Sequence, residues 1–274
     1  MPKVNPAGRG LAVHYQERGR GSPLLLLMGW RGNLDWWPES LLRPLERRHR
    51  LVLVDNRGAG RTGDPGGLYT MGQMADDAAA LLDALGIARA DVFGVSMGGM
   101  IAQEVALRHP RRVGRLVLAA THSGRRARVR PTPAMLRAWS RGLRSPWRVD
   151  ENLLHLLFSA DVSAIDRQAL ADFKKVAAQA PASPWASMKQ YLAILQHDTY
   201  RRLPSISAPT LVVTGEADLM VAPGHSAVLA RNIPGARLVT FPATGHALLR
   251  SRSAELDALL ADFLATQDGQ SCSS

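Results

Sequence analysis

A serine between two glycines is the residue of this sequence best placed to do chemistry. Gly94-Val95-Ser96-Met97-Gly98 joins an apolar, β-prone run ending at Val95 to a run with helical apolar spacing. Such a turn needs glycines because the chain crowds itself there and the central residue takes a strained conformation. It holds a hydroxyl at the carboxyl edge of a sheet, over the positive end of the following helix. The pattern predicts that Ser96 is a nucleophile.

A serine hydroxyl also needs a base within hydrogen-bonding reach and a third group that orients the base. Among the eight histidines, His246 has the most suitable setting, a loop of small residues at 243–247 that follows a late strand. His122, just after the strand that follows the serine's helix, is the alternative. The sequence therefore predicts that His246 is the base.

The acid that orients the histidine is expected in the loop Thr214-Gly215-Glu216-Ala217-Asp218. This loop follows a strand-like run, so its carboxylates lie at the same edge of the sheet as Ser96. Asp218 is the predicted acid. Glu216 is the alternative, although a loop carboxylate of this kind can simply pair with a surface arginine.

Strands alternate with helices along most of the chain, which predicts a mostly parallel sheet covered on both faces. The predicted strands are Leu11–Glu17, Leu24–Met28, Leu51–Val54, Asp91–Val95, Val113–Ala119, Thr210–Val213 and Arg237–Phe241. The predicted helices are Pro38–Arg48, Met71–Leu85, Ser96–His109, Gly224–Asn232 and Ser253–Ala265.

The alternation is interrupted once, between about residues 121 and 208. This stretch has no convincing strand and consists of helical pieces separated by prolines. It is best interpreted as a helical cap over the carboxyl edge of the sheet. The expected division is therefore an α/β core of residues 1–121 and 208–274, with a cap of residues 122–207.

Five motifs in order give the chain a family resemblance. They are Met28-Gly29-Trp30, Asp55 to Thr62, Gly94 to Gly98, Gly215 to Asp218, and Gly245-His246. On these motifs the chain resembles the α/β-hydrolase superfamily, as a capped serine hydrolase of the esterase or lactonase type. The resemblance implies a mostly parallel eight-stranded sheet with helices on both faces and a helical cap insertion.

The same resemblance implies the roles of individual residues. Ser96, Asp218 and His246 would form a catalytic triad, and the backbone N–H groups of Trp30 and Met97 would form an oxyanion hole. No cofactor and no metal are implied. The chain departs from many relatives in having Met28 where they have histidine. The segment Asp55 to Thr62 is expected to brace a turn rather than to take part in the chemistry.

Several large side chains are candidates for the substrate pocket. Tryptophan and methionine would give flat, apolar walls suited to an acyl or ring-bearing ester. The candidate pocket residues are Trp36, Trp37, Trp139, Trp185 and Met188.

The formal net charge is +11, but only four of the 34 basic residues are lysine. No nucleic-acid-binding motif accompanies the charge, so a nucleic-acid partner is not expected. Eight arginines and no acid lie between Arg125 and Arg148. This basic segment is either a solvated face of the cap or a docking patch for an acidic carrier protein or an anionic substrate.

Other bulk features favour a cytoplasmic protein. The longest apolar run, Leu24 to Met28, is far too short to span a membrane, and residues 1–6 lack the apolar core of a signal peptide. The single cysteine, Cys272, excludes an internal disulfide and a cysteine-based zinc site. No membrane partner is expected.

Together these features predict a cofactor-independent serine hydrolase that cleaves a small carboxylic ester or lactone through an acyl-enzyme. Other chemistry on the same triad is the first alternative: perhydrolysis of the haloperoxidase type, carbon–carbon bond hydrolysis, hydrolysis of acyl-carrier or coenzyme A esters, or a cyclase or lyase step. A non-enzymatic, ligand-sensing protein is the second alternative, because function follows the site rather than the fold.

Overall fold

The computed structural model describes residues 3–5, 10–142, 151–158 and 167–265. Residues 143–148, at the end of the basic segment, and Cys272 lie outside the described residues. Within the described part of the chain, no helix is long and apolar enough to cross a lipid bilayer.

A single sheet of eight strands forms the centre of the fold, in the order β1-β2-β4-β3-β5-β6-β7-β8. The pairs β1–β2 and β2–β4 are antiparallel, and the other neighbouring pairs are parallel. The strands are β1 Lys3–Val4, β2 Val13–Arg18, β3 Ser22–Leu27, β4 His49–Val54, β5 Ala90–Val95, β6 Val113–Ala119, β7 Thr210–Gly215 and β8 Arg237–Phe241.

Helices connect the parallel strands, and in the described part of the chain between β6 and β7 there are four. The helices are α1 Glu39–Glu46, α2 Met71–Ala84, α3 Met97–Arg108, α4 Pro133–Gly142, α5 Glu151–Phe158, α6 Arg167–Gln179, α7 Pro184–Gln196, α8 Gly224–Asn232, α9 Leu248–Ser251 and α10 Ser253–Ala265.

Alternating side chains of the strands build one apolar core on each face of the sheet. Leu24 and Leu26 of β3 pack in a cluster with α1, α9 and α10. Leu25 and Leu27 pack on the other face with α2, α3 and α8. Both faces are buried, which explains why this strand is an unbroken apolar run.

The predicted α/β architecture is confirmed, and each predicted strand and helix is found within two residues of its expected bounds. The sequence missed β1 because two residues are too few to show alternation. In the described part of residues 122–207 there is no strand, and one isolated bridge joins Gly124 to Asp198.

Candidate active site

The turn at residues 94–98, here called the Ser96 turn, holds its serine in a strained backbone conformation. Ser96 has φ 54° and ψ −121°, a region that non-glycine residues rarely adopt. Hydrogen bonds from the neighbouring strand fix it: the Ser96 amide donates to Ala119 O at 2.9 Å, and the Thr121 hydroxyl donates to Ser96 O at 2.7 Å. These two hydrogen bonds therefore stabilise a backbone conformation that a serine rarely adopts.

Close packing around the Ser96 turn leaves no room for side chains at its glycines. A Cβ on Gly94 would overlap the carbonyl oxygen of Gly98, and a Cβ on Gly98 would overlap that of Leu27. The start of α3 is thus pressed against β3 and β5. This contact explains the glycines on either side of Ser96.

A buried carboxylate–imidazole pair lies at the same edge of the sheet. Asp218 Oδ2 is 2.7 Å from His246 Nδ1, and Asp218 Oδ1 accepts the amides of Met220 and Val221 at 2.8 and 2.9 Å. Both side chains are buried. Each carboxylate oxygen thus has a partner, and one of them holds the imidazole through Nδ1. The other ring nitrogen, Nε2, lies on the side of the ring away from Asp218.

The loops that carry the acid and the base are joined to each other. The Ala217 amide donates to Thr244 O at 2.9 Å, and a Cβ on Gly215 would overlap that same carbonyl. Backbone contact, rather than the Asp218–His246 bond alone, therefore sets the spacing of the two loops.

The alternative acid and base lie in other surroundings. Glu216 is exposed and accepts a hydrogen bond from the Thr240 hydroxyl at 3.1 Å. His122 lies in a histidine cluster with His197 and His225, its ring centroid 6.1 and 5.2 Å from theirs. Asp218 and His246 therefore contact each other, whereas the recorded contacts of Glu216 and His122 are with other groups.

The loop after β3 brings Trp30 beside Ser96, where the sequence places one oxyanion donor. Gly29 lies so close that a Cβ there would be 3.1 Å from Ser96 Cβ. Trp30 lines the same cavity as Ser96. Met97 begins α3, where amides have no acceptor within the helix. Ser96 therefore lies between the start of α3 and a loop whose Gly29 packs directly against it.

Side chains from distant segments hold this loop in place. Asn56 Nδ2 donates to Met28 O at 2.9 Å, and the Arg31 amide donates to Gln190 Oε1 at 3.0 Å. The Trp30 indole donates to Ser187 O at 2.8 Å. Gln190 and Ser187 belong to α7, so α7 is anchored directly on the loop that carries Trp30.

A cavity with a volume of about 100 Å³, partly open to solvent, lies in front of Ser96. The described residues that line it are Met28, Gly29, Trp30, Arg31, Trp36, Val95, Ser96, Leu153, Leu157, Phe158, Phe173, Met220, His246, Ala247, Leu249 and Arg250.

Of the five expected pocket residues, only Trp36 lines this cavity. Trp37 packs edge-on against Phe93 in the core, with ring centroids 5.1 Å apart. The Trp139 indole donates to Leu219 O at 2.9 Å. These two rings have structural contacts instead, so the pocket excludes them.

The other two expected pocket residues lie on α7. Trp185 is 65% exposed, and half-buried Met188 is not among the described lining residues. The pocket excludes them too. The sequence analysis also did not identify Phe173 and Arg250 as lining residues. The position of Arg250, four residues after His246, could have indicated that it lies near the cavity.

The described arginines of the basic segment are all exposed. Arg126 pairs with Asp198 at 2.9 Å. The others are Arg125, Arg128, Arg130, Arg137 and Arg141. Among the described residues, no group of three or more histidine, cysteine or acidic side chains is arranged to hold a metal ion.

Comparison with known proteins gives a consistent picture. A model of the alpha/beta hydrolase fold family matches residues 22–250. The chain is 30% identical over 248 residues to a protein of Azorhizobium caulinodans named "Putative carbamate hydrolase RutD", covering 86% of this chain and 88% of that protein. It is also 30% identical over 256 residues to a Nitrosomonas europaea protein named pimeloyl-(acyl-carrier protein) methyl ester esterase, covering 86% and 93%.

A solved structure agrees along nearly the whole chain. The enol-lactonase from Burkholderia xenovorans LB400 matches with a TM-score of 0.81 at 28% identity. The match covers 97% of this chain and 100% of that one.

Substitution of a glycine in the Ser96 turn tests the crowding. We expect Gly98→Ala to lower the free energy of unfolding by about 3 kcal/mol, because its Cβ meets backbone that cannot move freely. Gly63→Ala is the matched control, since its Cβ would meet nothing within 4 Å, and we expect a change within about 0.5 kcal/mol. Urea unfolding measures both. Equal effects would contradict the packing described for this turn.

The histidine cluster gives an expected pH dependence of stability. Burial, with the nearby His197 and His225, lowers the pKa of His122 to about 3, and burial lowers the pKa of His197 to about 4. The unfolded chain, whose histidines titrate near 6.5, therefore takes up protons first as the pH falls. Stability should be constant with respect to these groups above pH 6.5 and should fall below it.

The variant His122→Asn checks this, because asparagine can still accept the Gly124 amide that His122 Nδ1 accepts at 3.0 Å. Between pH 7.5 and pH 5 it should lose about 2 kcal/mol less stability than the wild type. The measurement is urea unfolding at both pH values. A loss identical to that of the wild type would show that His122 titrates normally.

Proposed function

The chain belongs to the alpha/beta hydrolase fold family, and we propose that it is a serine hydrolase of carboxylic esters or lactones. One observation carries the proposal. The buried Asp218–His246 pair, 2.7 Å apart, meets the strained Ser96 at a single cavity, which Ser96 and His246 both line.

In the first half of the proposed reaction, Ser96 Oγ attacks the ester carbonyl carbon while His246 Nε2 accepts the hydroxyl proton. Asp218 holds the imidazole in the tautomer with its proton on Nδ1 and stabilises the imidazolium that forms. His246 then donates the proton to the leaving alcohol. In the second half, His246 activates water, which releases the acid and restores Ser96.

The oxyanion that forms at the carbonyl would be stabilised by the amides of Met97 and Trp30. Each such donor is worth about 3 kcal/mol of barrier when it is positioned beforehand. Met97 is fixed by the packing of α3 against β3, and Trp30 is fixed by the bonds from Asn56 and Gln190 around it. The site therefore needs little reorganisation during the reaction.

The helices between β6 and β7 are proposed to act as a cap, with residues 122–207 over a core of residues 1–121 and 208–274. Leu153 and Leu157 of α5 and Phe173 of α6 line the cavity. Ala247, next to the proposed base, donates its amide to Leu157 O at 2.7 Å. These segments supply the apolar wall that excludes water from the acyl group.

The relatives support acyl chemistry in general. Two have names that describe ester or lactone cleavage, and a third is named as a carbamate hydrolase. Carbamate cleavage would use the same nucleophile, base and oxyanion donors. Our proposal selects esters and lactones because the cavity wall is mostly apolar and suits an acyl chain.

A carrier-bound acyl ester is a second candidate substrate. The observation that favours it is the set of exposed arginines at residues 125–141, which would attract an acidic carrier protein. The relative from Nitrosomonas europaea is named for an ester of that kind.

Substitution of each proposed triad residue tests the proposal directly. With 4-nitrophenyl butyrate as substrate, Ser96→Ala should lower kcat/KM at least about 10³-fold. Asp218→Asn should lower it about 10⁴-fold, because the imidazole loses its tautomer preference. His246→Asn removes the base and should have an effect of similar size.

Two matched variants serve as controls. Glu216→Gln and His122→Asn change the alternative acid and base in the same way, and both should keep kcat/KM close to the wild-type value. Full hydrolysis by the Ser96→Ala variant, or a larger loss in Glu216→Gln than in Asp218→Asn, would overturn the assignment.

A further inference from the structure

The mostly apolar lining of the cavity in front of Ser96 contains two arginines. The described lining residues include Arg31 and Arg250 and no aspartate or glutamate. Apart from Ser96 and His246, the rest of the lining is apolar or aromatic. An arginine directed at an apolar acyl pocket is costly to bury, so its presence needs a reason.

Arg250 lies on α9, one helical turn beyond His246. Its Nη2 donates to Trp36 O at 3.1 Å, and its Cζ lies 4.8 Å from the ring centroid of Phe173. No carboxylate within the described part of the chain is within ion-pairing distance of this guanidinium. Within the described residues, its charge is balanced by the Trp36 carbonyl dipole and the Phe173 ring face.

The guanidinium remains charged at neutral pH. Burial lowers the pKa of Arg250, but arginine titrates so far above neutrality that the proton stays. Removing such a charge from water without a counter-ion is unfavourable, and a bound anion would offset the cost. The unpaired charge is therefore available to a ligand.

A second unsatisfied donor lies in the same corner of the cavity. Trp36 lines the cavity, and its indole Nε1 is buried with no acceptor among the described residues. Its ring meets Phe173 edge-on, with centroids 5.0 Å apart. Buried donors are nearly always paired, so the unpaired N–H beside Arg250 adds to the positive potential of this wall, although it is closed off from the cavity itself.

We propose that the acyl part of the substrate carries a carboxylate, which Arg250 binds while the ester or lactone carbonyl lies at Ser96. This inference rests on the proposed function and names its substrate class: half-esters of dicarboxylic acids, or lactones that bear a carboxylate. A guanidinium fork matches a carboxylate in geometry and charge. The net charge of +11 would also favour the approach of an anion.

The reaction balances as ordinary ester hydrolysis. Ser96 Oγ bonds to the carbonyl carbon, the carbon–oxygen bond to the alcohol breaks, and the alcohol leaves with the proton from His246. Water then cleaves the acyl-enzyme and gives a dicarboxylate. Arg250 contacts the distant carboxylate in the substrate and in the acyl-enzyme alike, so its effect should fall mainly on KM.

Matched pairs of methyl esters test the inference. Monomethyl succinate, adipate and suberate are compared with methyl butyrate, hexanoate and octanoate, which have the same chain but end in a methyl group. For at least one length, the wild type should have the higher kcat/KM for the anionic ester. Arg250→Gln should lower the anionic-to-neutral ratio of kcat/KM by about 10- to 100-fold, the range expected for a charge-assisted hydrogen bond.

Two further variants complete the experiment. Arg250→Lys keeps the positive charge but not the paired N–H donors of the guanidinium. Its anionic-to-neutral ratio of kcat/KM should therefore fall less than that of Arg250→Gln. Arg237→Gln removes an exposed arginine that pairs with Asp262, and it should leave the ratio unchanged. A wild-type preference for the neutral ester at every length would overturn the inference even if Arg250→Gln failed to fold. An unchanged ratio in a folded Arg250→Gln would do the same.

The experiment also separates this inference from the proposed function. If Ser96→Ala abolishes hydrolysis of the neutral esters while the wild type shows no preference for the anionic ones, only the carboxylate site is wrong. If Ser96→Ala hydrolyses the anionic and the neutral esters as fast as the wild type does, the serine mechanism is wrong. The carboxylate inference, which depends on that mechanism, is then wrong as well.

Discussion

The close approach of α3 to β3 and β5 at the Ser96 turn is the contact on which the rest of the site depends. It forces Ser96 to a positive φ, and it is tolerated only because Gly94 and Gly98 have no side chains. The strain, of order 1–3 kcal/mol for such a residue, is offset by the strand–strand bonds around it. The serine is thereby held at the sheet edge in one orientation, beside the first amide of α3, which has no acceptor within the helix.

The other parts of the site are fixed against this turn by buried polar side chains at the ends of neighbouring strands. Asp55, fully buried at the end of β4, accepts the Leu34 and Arg61 amides and lies 2.8 Å from His14 Nδ1. Asn56 beside it binds Met28 O. This network braces the loop that carries Trp30, a role that the sequence analysis did not assign to the segment Asp55 to Thr62.

The sequence predicted the strands and helices well because both depend on local pattern. Ser96, Asp218 and His246 each lie within five residues of the end of a strand, so strand order along the chain places all three at one edge of the sheet. The pocket wall was predicted poorly because it depends on how helices distant in sequence pack. Trp36 and Trp37 are adjacent, yet one faces the cavity and the other faces Phe93 in the core. Phe173 enters the cavity only through the packing of α6, which no local motif indicates.

We propose that Ser96 is the nucleophile, with His246 as its base and with Asp218 holding the imidazole through Nδ1. The most direct measurement is labelling of the native protein with a fluorophosphonate, followed by mass mapping of its peptides. We predict one adduct, on Ser96, formed in step with the loss of ester hydrolysis and strongly slowed in the His246→Asn variant. An adduct on another residue, or continued hydrolysis after Ser96 is fully labelled, would contradict it.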